Sequence, residues 1–214
     1  MKINFIISAI LSLLILLITA TDSNFAAKLL SQQQNIGAEG TEKPFYQQTD
    51  EKTGNSCYVF THYVVKTITS KDVGEDIKVF KRDAGIGFKK ACINDKRQPY
   101  ITIENAGDNW FFGLRGDKFF IDSGTSAGTR GLDVVSLTSK KIIFSTDYNE
   151  VVKVSEDSLL YYKPSNVKGS RKNCPQAQKW EKEGGGVGWV RPTRLDLTTL
   201  KETSTGKLTC YYIE

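Results

Sequence analysis

The chain has 214 residues, a formal net charge of +5, four cysteines and one histidine. This length suits one domain, or a domain with a tail. A single histidine and cysteines far apart in sequence speak against a metal centre, and nothing in the composition calls for a cofactor or a nucleic-acid partner.

The chain opens with Lys2, an apolar run from Phe5 to Ala20, and then polar Thr21-Asp22-Ser23-Asn24. A basic start, an apolar core and a small residue at the exit are the parts of a secretory signal peptide. Residues 1–20 are therefore expected to be cleaved. The rival reading, an uncleaved anchor, is short for a spanning helix and lacks a basic stop signal. No later segment resembles a membrane span, so the expected setting is secreted or periplasmic. Residues 21–55 are polar and rich in Gln, Gly, Thr and Glu, and read as a flexible leader. One globular domain, 56–214, is expected to follow.

From Cys57 onward, short runs of Val, Ile, Phe, Tyr and Thr are punctuated by Gly, Asn, Asp and Ser,. Strands are expected at 57–68, 76–82, 99–104, 109–114, 117–122, 131–137, 140–146, 150–155, 158–163, 195–200 and 207–213. No sustained helical period follows the leader. The fold class is all-β: a mostly antiparallel β-sandwich or partly closed barrel of about ten short strands, with connections too short for crossover helices. Ile101 and Ile103 share one face, as do Leu208 and Cys210. Two hairpins stand out, one turning at Arg115-Gly116-Asp117 and the other at Thr138-Ser139. The second, Gly131-Leu132-Asp133-Val134-Val135-Ser136-Leu137-Thr138-Ser139-Lys140-Lys141, resembles the inner strands of a β-propeller blade. The likeness covers one hairpin and does not recur at a fixed period, so a full propeller is not expected.

Cys57, Cys92, Cys174 and Cys210 form an even set in an exported chain and imply two disulfides, with three pairings open. Nearest-neighbour pairing, Cys57–Cys92 and Cys174–Cys210, asks only for local closure. Basic residues gather twice. Residues 78–97 carry Lys78, Lys81, Arg82, Lys89, Lys90, Lys96 and Arg97 against Asp83 and Asp95. Residues 163–182 carry Lys163, Lys168, Arg171, Lys172, Lys179 and Lys182 against Glu181. They form either an anion-facing patch or solvated loops.

Phe120-Ile121-Asp122-Ser123-Gly124-Thr125-Ser126 resembles the aspartic-protease motif, and the resemblance implies a catalytic Asp122. That chemistry needs a second carboxylate to share one proton. No other Asp-Ser-Gly or Asp-Thr-Gly occurs, so only a symmetric dimer would supply it. The structural alternative is a strand ending in an Asx turn. Arg115-Gly116-Asp117 is an integrin-type tripeptide and also an ordinary hairpin turn. His62 has no Gly-x-Ser-x-Gly partner for a triad. The glycine-dense segment Gly184-Gly185-Gly186-Val187-Gly188 lacks the strand and Lys-Ser/Thr of a phosphate loop. It reads as a flexible loop presenting Trp180 and Trp189 beside Arg171, Lys172 and Arg191.

The sequence therefore supports a secreted or periplasmic, non-enzymatic binding or envelope-associated β-domain. Its partner classes are an anionic glycan, an envelope surface or an acidic protein, with Trp189 as anchor. Two alternatives stay open. One is a secreted hydrolase of peptides through Asp122, or of polysaccharide. The other is an adhesin or inhibitor presenting the 180–192 loop.

Overall fold

Alternating apolar residues build three open antiparallel sheets from successive stretches of the chain. The computed structural model describes residues 39–93, 97–125, 128–167, 169 and 171–213, with the side chains at 151, 152 and 171 set aside. The expected signal peptide falls outside the described residues, as does the leader before Glu39.

The first sheet is β1 (Tyr46–Thr49), β2 (Ser56–Val59), β3 (Tyr63–Thr69), β4 (Glu75–Lys81) and β5 (Ile101–Ile103), paired in that order. The second is β6 (Asn109–Arg115), β7 (Lys118–Ser123), β8 (Arg130–Ser136) and β9 (Lys141–Tyr148). The third runs β10 (Glu150–Val154), β11 (Ser158–Pro164), β12 (Gly186–Asp196) and β13 (Glu202–Ser204), with β14 (Thr209–Ile213) also on β12. None of the three closes on itself.

The second sheet is buried on both faces. On β7, Phe119 and Ile121 join a cluster with Val65, Ile77 and Val79 of the first sheet. Phe120, pointing the other way, joins Leu159, Tyr161 and Leu195 of the third,. The unbroken Phe119-Phe120-Ile121 run is thus what a strand between two interiors requires. Ile101 and Ile103 pack together on the first cluster, as their alternation implied.

Two short helices that the periodicity did not reveal cover the ends. Helix α1 (Phe88–Ile93) buries Ala91 against Val59, Val64 and Phe80 on the outer face of the first sheet. Helix α2 (Ala177–Lys182) packs with Trp189, Leu208 and Cys210 at the β12–β14 end of the third. Six-residue helices are unstable alone. Each is tied down by a disulfide: Cys57–Cys92, with Cα atoms 5.9 Å apart, and Cys174–Cys210, at 5.6 Å. The nearest-neighbour pairing holds.

Other expectations shift. The 57–68 tract folds back at Thr61-His62, where Phe60 N–H donates to the Tyr63 carbonyl at 2.8 Å. No Gly, Asn or Pro marks that turn. Residues 39–55, expected within the flexible leader, include a sheet strand and make further contacts to the sheets. Tyr46 to Thr49 pair with β2, Glu42 N–H donates to the Leu114 carbonyl at 2.7 Å, and Gly116 N–H donates to Glu42 Oε1 at 2.6 Å. The unpaired edge of β2 is satisfied this way.

The three meanders share one connection. In each, the residue after one strand donates its N–H to the carbonyl just before the preceding strand: Arg82 after β4 to His62 before β3, Leu137 after β8 to Asp117 before β7, and Leu197 after β12 to Asp157 before β11, each at 2.8 Å. In the second and third sheets the next turn also recurs, as Val135-Ser136-Leu137-Thr138-Ser139-Lys140-Lys141 and Leu195-Asp196-Leu197-Thr198-Thr199-Leu200-Lys201. Lys140 and Leu200 both adopt left-handed backbone, with φ of 59° and 58°,.

Two predictions follow from these contacts. A chain beginning at Thr53 loses β1 and the Glu42 contacts. It should melt below one beginning at Ile36 by about 2 kcal/mol, or ~4–8 °C at this size; equal midpoints in calorimetry would show that β1 is dispensable. The second concerns Glu75, at the start of β4, whose Oε2 accepts from Phe111 N–H at 3.2 Å. Burial pushes its carboxyl above the usual carboxylate range, and that hydrogen bond offsets the push only in part,. A raised folded pKa favours folding at low pH and loses that contribution as pH rises through it. Glu75→Gln should therefore melt above the parent at neutral pH, with the gap closing below about pH 4. A gap independent of pH would contradict it.

Candidate functional site

Asp122 lies near the end of β7 on the face toward the third sheet. Strand register sets Leu132 opposite Asp122 and Tyr148 opposite Arg130. Asp122, Arg130 and Tyr148 thus meet across three neighbouring strands. Arg130 Nε donates to Asp122 Oδ1 at 2.7 Å, its second nitrogen donates to Oδ2, and Tyr148 Oη donates to Oδ1 at 2.6 Å. Asp122 is 8% exposed. The Asp122 hydrogen bond raises the Arg130 pKa, while burial and then Asp122 push the Tyr148 phenol up. The carboxylate is therefore a bidentate ion-pair acceptor. It is held by Arg130 and Tyr148, whereas the Asx-turn alternative expected its own turn amides to hold it.

A second polar knot sits in the third sheet. The Tyr161 hydroxyl and Lys163 Nζ both donate to Glu202. Burial, reinforced by Glu202, raises the Tyr161 phenol. The Glu202 carboxyl is lowered, because the Lys163 and Tyr161 hydrogen bonds outweigh desolvation. Lys163 is therefore matched by an acid, and Lys179 pairs with Glu183 at 3.8 Å.

The Arg115-Gly116-Asp117 turn spends its carboxylate internally. Asp117 accepts from Lys118 Nζ at 2.6 Å, Thr138 Oγ1 at 3.2 Å and Ser136 Oγ at 3.4 Å. Burial would raise the Asp117 carboxyl, but these donors hold it below the usual range. Beside it is a shallow, open hollow of ≈ 370 Å³, lined by residues including Lys118, Ser136, Glu156 and Leu197. It contains no histidine. His62 is exposed in the β2–β3 turn of the first sheet. Among the described residues, no three His, Cys, Asp or Glu converge as a metal site would need.

The expected 180–192 loop takes a different form. From Gly186 it is strand β12, paired with both β11 and β14. Trp189 is 8% exposed and packs on Cys174 and Ala177, so it is core and not an exposed anchor. Rings lie over two of its glycines, and over Gly169 upstream. A Cβ on Gly185 would lie 2.0 Å from Tyr212, one on Gly188 2.3 Å from Tyr211, and one on Gly169 2.2 Å from Trp189 itself. Trp180 is half-buried, edge-on to Tyr212 at 6.1 Å. Lys172 is exposed on the 3-10 turn Arg171–Asn173. Arg191 sits opposite Lys163 in the β11–β12 ladder, with its Nε buried and unpartnered. The two tryptophans are thus brought together around a disulfide.

The residues that sequence reasoning passed over, Phe45, Phe88, Tyr100 and Lys140, gather around the other basic segment. Lys81 Nζ lies 4.6 Å and Lys140 Nζ 4.0 Å from the Tyr100 ring centroid. Arg82 lies 4.6 Å from the Phe88 ring. Phe88 in turn stacks on Phe45 at 5.4 Å. The charge run was legible in the sequence. The rings from Phe45, Phe88 and Tyr100, and Lys140 from the second sheet, were not. Comparison with protein families, with curated proteins and with solved structures gives no match for this chain.

Trp189→Ala should cost about 3–5 kcal/mol of stability, the range for emptying a buried tryptophan site. A chemical-denaturation midpoint close to that of the parent would restore the exposed-anchor reading.

Proposed function

We propose that this protein is an exported, non-enzymatic binding protein, a layered β-sandwich working in a secreted or periplasmic setting. The observation that supports this reading is the engagement of Asp122. The carboxylate that the protease-like motif would need for proton transfer is clamped by a guanidinium and a phenol, with no second carboxyl among its hydrogen-bond partners,. An acid–base role requires a group free to gain and lose a proton beside substrate. Here the geometry favours structural use. The shallow hollow near Asp117 is lined by no histidine or cysteine. Two disulfides fit an oxidising compartment,. Among the described residues no helix is long and apolar enough to cross a membrane.

Asp122→Asn separates the two roles. A structural ion pair predicts a loss of about 2–3 kcal/mol, because Arg130 is left partly buried with a weaker acceptor. It also predicts no peptide hydrolysis by the parent across the acid range. Acid-optimal cleavage by the parent that vanishes in Asp122→Asn would replace this reading with a peptidase.

A further inference from the structure

The two basic segments differ in how their charge is met. In the third sheet, Lys163 and Lys179 face Glu202 and Glu183. In the first, Lys81, Arg82, Lys89, Lys90 and Arg97, joined by Lys140 from the β8–β9 turn, have no ion pair among the described residues. The nearby acids are otherwise engaged: Asp83 accepts from Gly85 N–H at 3.0 Å, and Asp117 is held by Lys118. Arg82 gives one donor to the Thr61 carbonyl at 3.1 Å, and Arg97 gives one to the Lys81 carbonyl at 3.0 Å. Both keep a buried Nε without a partner.

Bulky apolar groups lie exposed among these cations. Phe45 is 62% exposed and stacked on Phe88, which is 39% exposed and lies under Arg82. On α1, Lys89, Lys90 and Ile93 stand three and four residues apart and share the outward face, with Ile93 65% exposed,. Ala91 and the Cys57–Cys92 bridge fix the opposite face to the sheet. The result is a rigid, cationic projection tipped with apolar side chains.

We propose that α1 and the adjoining β4 end dock on an anionic lipid surface. This rests on the reading of the chain as a binding protein and names its partner. The charge complementarity is direct, since uncompensated Lys and Arg are drawn to anionic headgroups within a Debye length. The exposed Phe45, Phe88 and Ile93 decide between a bilayer and a soluble polyanion. Apolar side chains flanked by Lys and Arg gain by entering the headgroup–acyl boundary, whereas an anionic polysaccharide would use the charges alone. The short helix does not insert as a span; it lies at the interface.

The test uses the chain from Thr21 onward, so that the apolar run before it does not partition by itself. It should cosediment with phosphatidylglycerol-containing vesicles, not with neutral phosphatidylcholine vesicles, and lose binding as salt rises. Lys89→Ala/Lys90→Ala should weaken partition at least about tenfold, with an unchanged melting midpoint because both residues are exposed. Ile93→Ser should weaken vesicle binding several-fold while leaving any binding to soluble heparin unaltered. Failure to bind anionic vesicles overturns the proposal, as does binding indifferent to both variants. Heparin binding without vesicle binding also overturns it, yet leaves the binding-protein reading standing. Peptidase activity dependent on Asp122 would overturn that reading instead.

Discussion

A sheet that presents apolar side chains to both sides cannot be left as an outer layer. Phe119, Phe120 and Ile121 follow one another on β7, and Val134 and Val135 do so on β8, so the second sheet feeds two separate clusters. Exposing either face would leave several large side chains in water, at about 2 kcal/mol or more each. The first and third sheets are therefore obligatory covers, and their inner faces follow from that demand. Their own remaining surface then needs covering, and the chain meets this with two six-residue helices. Neither would persist without the sheet beneath it and the disulfide beside it.

The recurring turn carries this layering from one meander to the next. Because Arg82, Leu137 and Leu197 each follow one strand and donate to the carbonyl just before the preceding strand, the corresponding turns take the same relation to their strands. Lys140 and Leu200 accept left-handed backbone without being glycine, at a cost of roughly 1 kcal/mol each,. The turn places Lys140 over Tyr100, so a residue of the second sheet completes a surface of the first.

How much of this was legible depends on the range of the signal. Period-two alternation gave most strands to within a residue or two, as at β4, β7 and β11, because half-buried strands write their burial into neighbouring residues. The disulfides were legible because each closes a local unit. The layering was not: Phe119-Phe120-Ile121 is compatible with any strand buried on both faces, and nothing local says what covers it. The repeat between residues 135–141 and 195–201 escaped because α2 and its bridge are inserted before β12 in the third meander, which breaks any fixed period. The segment Gly184–Gly188 misled for a clear reason. Glycine marks a loop and also marks a strand crossed by an aromatic ring, and only the positions of Tyr211 and Tyr212 distinguish the two. Asp122 showed the converse problem. Its motif was readable, but the partner that decides its chemistry, Arg130, reaches it through the β7–β8 register and not through the motif itself.

The same distinction between paired and unpaired charge separates structure from surface across the molecule. Asp122 with Arg130, and Glu202 with Lys163, place opposite charges in partly buried settings, where an unmatched partner would be costly,. These pairs hold strands in register and leave little for a ligand to gain. The cations around α1 are arranged differently. They lean on Phe88 and Tyr100, which shelter the side-chain stems and weakly favour the charge without neutralising it,. A ring holds a cation in place and leaves its field directed outward. Net charge spread over solvated loops would serve solubility alone. Charge held on a disulfide-anchored platform beside exposed Phe45 and Ile93 is preorganised, so less ordering remains to be done when a surface of opposite charge arrives.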